Sequence, residues 1–141
     1  MKQKDINILL VEDNPDDIEL TLEAFKNNNL ANKITVARDG EEALDIIFGN
    51  KDKKPDIILL DLKLPKVDGL EILRRVKSDE DTRVIPVIIL TSSKEESDLI
   101  KSYKLGVNSY IRKPVDFKEF IKVVKKLGLY WLIINEFPPK I

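Results

Sequence analysis

Apolar residues in this chain alternate between two patterns. Short, dense runs rich in Ile and Val occupy residues 6–11, 33–37, 56–60, 87–90 and 109–112, and longer stretches with a helical period separate them. Dense runs of that length read as strands buried on both faces, while apolar positions recurring every three or four residues read as helix. The helical pattern predicts helices over 16–28, 41–48, 69–77, 94–105 and 117–127. Each has a start signal: Asn14 with Pro15 at the first helical position, then Asp39, Asp68, Ser93 and Asp116, all with an acid three residues later. Strand followed by helix, repeated along the chain, implies a parallel sheet with right-handed crossovers and helices on both faces. The fold class is therefore α/β, a doubly wound sandwich.

Composition narrows the chemistry more than the fold. The 141 residues suffice for one domain with a real core, and 43% apolar with 35% charged residues is the balance of a globular protein. Twenty-four basic and twenty-five acidic residues leave a net charge of −1, so no overall field draws the chain to nucleic acid or anionic lipid. Any partner must be chosen by a local patch. There is no Cys and no His, which excludes disulfides, thiolate nucleophiles and the usual neutral-pH base. Chemistry must rest on carboxylates, hydroxyls and lysines. The N-terminal apolar run is too short and too closely followed by acids for a signal peptide. The longest apolar stretch, residues 127–134, falls far below the roughly 20 residues needed to cross a bilayer. A cytoplasmic protein is expected. The loops over 27–32 and 49–54 are polar, and the Lys-Asp-Lys-Lys run at 51–54 reads as a solvated turn.

In open parallel sheets, ligands bind beyond the carboxyl ends of the strands, near the point where strand order reverses. The residues that follow the apolar runs are therefore the candidates. Glu12 and Asp13 follow the first, Asp61 the third, Thr91 the fourth and Lys113 the fifth. Crowded carboxylates are costly to ionise together, and a divalent cation relieves that cost by taking them as hard oxygen ligands, with Mg²⁺ the expected occupant. A carboxylate beside such a cation can attack a phosphoryl group whose charge is neutralised by the metal, a lysine and a hydroxyl. Asp61 is the central candidate.

These residues resemble a known family, the receiver domains of response regulators, also called CheY-like. The likeness spans nearly the whole chain: Val-Glu-Asp-Asn at 11–14, Leu-Leu-Asp-Leu-Lys-Leu-Pro-Lys-Val-Asp-Gly at 59–69, Ile-Leu-Thr-Ser-Ser at 89–93 and Tyr-Ile-Arg-Lys-Pro at 110–114. The resemblance implies a flavodoxin-like strand order 2-1-3-4-5 and phosphorylation of Asp61 by a sensor histidine kinase or phosphotransfer protein. It implies that Mg²⁺ or Mn²⁺ is held by Asp13, Asp61 and the backbone carbonyl of Lys63, with Glu12 assisting. Thr91 and Lys113 would contact the phosphoryl oxygens, and Tyr110 would be the switch aromatic that reorients with Thr91. The output would be a changed surface for a downstream protein target. The only catalysis expected is of the chain's own phosphorylation and dephosphorylation. Val67 departs from the frequent Met at its position, and Lys63 and Ser93 occupy positions that tune phosphoryl lifetime in this family.

Plainer readings stand beside these. Glu12 and Asp13 could end a strand, Thr91 could be a β-branched strand residue, Lys113 a surface lysine and Tyr110 simple packing. Asp68 and Gly69 read as an N-cap and a close turn, and Pro114 fits a turn compatible with a cis bond. Two rival functions are a phosphorylation-independent binding module and an aspartate-nucleophile phosphatase. The phosphatase pattern needs a second acid where Lys63 stands, and a cap domain. Residues 1–127 are expected to form the receiver domain and 128–141 a C-terminal extension, with no room for an output domain. Seven of the eight residues over 127–134 are apolar, so this segment either folds back or joins a partner. Tyr130, Trp131 and Ile134 are candidates for a homodimer interface. The extension, its terminal Asn-Glu-Phe-Pro-Pro and the Asp-Leu-Lys-Leu-Pro-Lys segment look like the single-domain regulators that serve bacterial phytochromes.

Overall fold

The computed structural model describes residues 6–27, 33–49, 54–92 and 101–128. Five strands, β1 (Asn7–Val11), β2 (Lys33–Ala37), β3 (Ile57–Asp61), β4 (Val87–Thr91) and β5 (Ser109–Arg112), form one parallel sheet in the order β2-β1-β3-β4-β5. That is the predicted topology. Helices α1 (Pro15–Lys26), α2 (Gly40–Phe48) and α3 (Gly69–Ser78) and the last described helix, Phe117–Lys126, pack on it. Of the helix expected over 94–105, residues 101–104 are helical and 94–100 lie outside the described residues. So do Ser93, most of the charged run at 51–54, and the C-terminal segment from residue 129.

Because strand side chains alternate, each central strand supplies both faces of the sheet. Ile8, Leu10, Ile57, Leu59, Ile88 and Leu90 meet Ile18 and Phe25 of α1 and Phe120, Val123 and Val124 of the last helix. Leu9, Val11, Ile58, Leu60, Val87 and Ile89 meet Ala43 and Ile47 of α2 and Ile72, Leu73 and Val76 of α3. Every residue of β3 and β4 is buried, which explains why their sequence shows no alternation. Each buried Ile or Leu contributes roughly 1.5–3 kcal/mol by leaving water. On the first face Phe25 anchors the helices, edge-on to Phe120 at 4.7 Å and to Phe117 at 6.2 Å.

Start signals act mostly as read from the sequence. Asn14 accepts from the backbone N–H groups of Asp16 and Asp17, Asp39 from that of Glu42 and Asp68 from that of Glu71. Asp116 differs: it holds the N-cap position without a side-chain cap bond. The start of that helix rests on its Phe120 N–H bond to the Asp116 carbonyl and on the burial of Phe120. Lys54 also departs from the solvated reading. Its ammonium donates to the Ile47 carbonyl at 2.9 Å near the end of α2 and lies 5.7 Å from the centre of the Phe48 ring. An unsatisfied carbonyl in the last turn of a helix attracts a cation, so even a charge run can be partly structural.

Candidate functional site

Parallel strands end together, so the residues after β1, β3, β4 and β5 share one edge of the sheet. Glu12 extends the ladder by donating its N–H to the Ala37 carbonyl at 3.0 Å. Its carboxylate folds under the following turn, where Oε2 accepts from the N–H groups of Asp13 and Asn14 at 3.1 and 3.2 Å. Glu12 is thus 1% exposed. Asp13 is exposed at the rim.

Asp61 is the last residue of β3 and is 3% exposed. Its Oδ1 accepts from the backbone N–H of Lys63 at 3.2 Å. The loop that follows must close tightly beneath it. A Cβ on Gly69 would sit 2.5 Å from the Asp61 carbonyl oxygen and 2.5 Å from Leu62 Cα, so only glycine fits there. The Gly69 N–H bond to the Leu62 carbonyl at 2.8 Å fixes this return.

At the end of β5 the backbone N–H of Lys113 donates to the Thr91 carbonyl at 2.8 Å, tying the fourth and fifth strand ends together. The Lys113–Pro114 peptide is cis. The Lys113 ammonium lies 3.1 Å from Glu12 Oε1, 3.3 Å from Asp61 Oδ2 and 3.3 Å from Asp17 Oδ2. Glu12, Asp13 and Asp61 each offer a carboxylate oxygen within 4.8 Å of the others. Beside them an open pocket of about 370 Å³ runs between Asp13 and the loop from Leu62 to Asp68.

The electrostatics follow from this crowding. Burial, then hydrogen bonding to Asp61 and the repulsion of its charge, raise the Glu12 carboxyl from 4.5 to about 7. Burial opposes the charge on Lys113, but the charges of Asp61 and Glu12 outweigh it and hold the ammonium above its ordinary range. One lysine thus faces more negative charge than it can balance. The surplus, offered by oxygen donors alone with one ligand at an open rim, suits a hard divalent cation rather than a nitrogen- or sulfur-seeking metal.

The structure therefore brings together Glu12, Asp13, Asp61 and Lys113. Thr91 stands at the same edge as the last residue of β4. Its hydroxyl donates to the Ser92 carbonyl at 2.9 Å. Lys63 adjoins the site through its backbone N–H. Tyr110 stands apart: it is 45% exposed, with its ring edge-on to Tyr103 at 6.2 Å, which is not the environment of a packed core aromatic. Asp17 was missed. In sequence it reads as the acid three residues after a cap, and its backbone N–H does bond to Asn14 at 3.1 Å. The available signal was position: a first-turn acid of the helix after β1 stands at the same edge as the strand ends.

Comparison with known proteins agrees with this geometry. A family model for the response regulator receiver domain matches residues 8–125. The chain is 42% identical over 134 residues to the probable methanogenesis regulatory protein FilR2 of Methanothrix harundinacea, covering 93% of this chain and 86% of that protein. The bacteriophytochrome response regulator AtBRR superposes with a TM-score of 0.82 at 52% identity, over 94% of this chain and 99% of AtBRR. The Mn²⁺-bound form of response regulator Rcp1 superposes with a TM-score of 0.73 at 36% identity, over 96% and 99% of the two chains. With the family model spanning residues 8–125 and the fold shared with these neighbours, the chain belongs to the response regulator receiver domain family.

Proposed function

We propose that this chain is a response regulator receiver domain that accepts a phosphoryl group from a sensor histidine kinase on Asp61. The observation that carries the reading is the meeting of Asp61 with Lys113 at 3.3 Å inside a cluster of carboxylates that fits a divalent cation. An Asp61 oxygen attacks phosphorus, the bond from phosphorus to the donor imidazole nitrogen breaks, and that nitrogen takes a proton from solvent. Lys113 neutralises the phosphoryl oxygens, and Thr91 turns its hydroxyl from the Ser92 carbonyl toward them. Mg²⁺ or Mn²⁺, held by Asp13, Asp61 and the Lys63 carbonyl with Glu12 assisting, supplies further charge neutralisation when bound. The Mn²⁺-bound Rcp1 structure supports this choice of cation.

Tyr110 and Thr91 form the proposed switch, with the Tyr110 surface as output to a protein target. The likeness to AtBRR favours a phytochrome-type kinase as the donor. No described helix is long and apolar enough to cross a membrane, in keeping with a proposed cytoplasmic site of action. The chain acts as catalyst only on itself.

Incubation with acetyl phosphate and Mg²⁺, followed by intact mass measurement, tests the proposal. One added phosphate that Asp61→Asn abolishes is the expected result. No uptake by the wild type would leave a phosphorylation-independent binding module, and steady turnover of phosphate esters would indicate a phosphatase.

A further inference from the structure

Lys113 has more partners than the proposed reaction gives it. Its three N–H groups are matched by three carboxylates, those of Glu12 at 3.1 Å, Asp61 at 3.3 Å and Asp17 at 3.3 Å. None is left over for a phosphoryl oxygen. For Lys113 to meet an arriving phosphoryl group while Asp61 is still a carboxylate, one of these bonds must be exchanged.

We infer that Asp17 is a positioning residue: it holds one N–H of Lys113 in the unmodified protein and releases it to the phosphoryl group. This rests on the proposed function. The choice among the three acceptors follows from solvent access. The Glu12 side chain is 1% exposed, and Asp61, 4% exposed, stays a carboxylate until its oxygen has bonded phosphorus, so either one abandoned as the phosphoryl group arrives is left dry and unpaired, while the Asp17 side chain is 27% exposed and recovers water at once.

The backbone of Asp17 is held in place when the lysine leaves. Its backbone N–H donates to Asn14 Oδ1 at 3.1 Å, and its carbonyl accepts from the Thr21 hydroxyl at 2.8 Å. The helix itself is pinned by buried Ile18 and Phe25. Asp17 also falls outside the group of carboxylates that can share a cation. It therefore keeps its charge when that group is neutralised and continues to compete for Lys113. Asp17 thus sets how readily the ammonium becomes available.

The test compares acetyl phosphate uptake by wild type, Asp17→Asn and Asp17→Glu, with folding of each checked by thermal melting. Asp17→Asn is expected to phosphorylate roughly two- to fivefold faster, the size of a partly exposed ion pair. Asp17→Glu, which retains the charge, returns the rate toward wild type. In a Lys113→Ala background the acceleration disappears, because the effect passes through the lysine. In the metal-free protein the ¹⁵N resonance of the Lys113 ammonium shifts on Asp17→Asn, a readout that a purely helical role for Asp17 leaves unmoved.

An unchanged or slower rate in Asp17→Asn, the same acceleration without Lys113, or an unmoved ammonium resonance overturns the assignment. Failure of the wild type to take up phosphate strikes the proposed function instead. A phosphorylated wild type with an indifferent Asp17→Asn strikes the Asp17 assignment alone.

Discussion

Two glutamates show how little distance alone reveals about a charge. On α3, Glu71 receives Arg74 at 2.5 Å and Arg75 at 2.8 Å, shorter than the 3.1 Å contact between Glu12 and Lys113. Hydrogen bonds from the arginines, that from Arg74 first, lower the Glu71 carboxyl to about 2. Burial raises the Glu12 carboxyl to about 7. The same side chain is displaced in opposite directions because two guanidinium groups dominate at Glu71, while burial beside a second carboxylate dominates at Glu12. Both arginines at Glu71 are at least half exposed, and water and salt screen such a cluster. Around Lys113 the Glu12 and Asp61 carboxylates are dry, so each strongly affects its neighbours. Short contacts on a helix surface decorate the fold, whereas longer ones at the buried sheet edge shift the charges of the groups that make them.

The contrast makes a graded set of predictions. Asp61→Asn should have the largest effect, eliminating phosphate uptake from acetyl phosphate by intact mass; retained uptake would place the reaction elsewhere. Next, Lys113→Ala should slow phosphorylation about a hundredfold, as loss of a donor to a developing charge commonly does. It should also lower stability by about 2 kcal/mol at pH 8 without divalent cation, because three acids lose their shared charged hydrogen-bond donor. Chemical denaturation measures this second effect, and a neutral result would mean the cluster relaxes into water.

A smaller effect follows from Glu12. Its folded value of about 7 lies above the unfolded 4.5, so folding retains a proton that the unfolded chain releases between them. The resulting stabilisation is full below about 4.5 and is lost as pH rises through about 7. Denaturant midpoints in EDTA at pH 5 and pH 8 should show this decline in the wild type and a shallower one in Glu12→Gln. Equal slopes would remove Glu12 as the source. The smallest change is expected on α3, where Glu71→Gln should leave both the melting temperature and phosphate uptake at wild-type values despite the shorter contacts. A marked loss there would mean that burial is not what separates the two clusters.

Much of this molecule is visible in its residues. Strands 33–37 and 109–112 fall where the apolar runs predict, β1 and β4 differ by a single residue at one end, and β3 is displaced by one residue along the chain. Local rules suffice there, since period and caps concern neighbours in sequence. Strand-end position likewise singled out Glu12, Asp13, Asp61, Thr91 and Lys113, because a parallel sheet collects its carboxyl ends. Asp17 and Lys54 were not legible in the same way. Each has an adequate local explanation, a cap acid or a solvated charge, and the partner that changes its meaning is remote or out of register: Lys113 is 96 residues from Asp17.

Sequence alone thus determined the order of elements, the two apolar faces and the types of group available for chemistry, because these depend on side-chain character and spacing. Tertiary structure decided which acids are dry, which oxygen each proton faces and that Lys113 is divided among three carboxylates. Those properties depend on solvent exclusion and on distances between segments far apart in the chain, and neither exists until the helices close over the sheet.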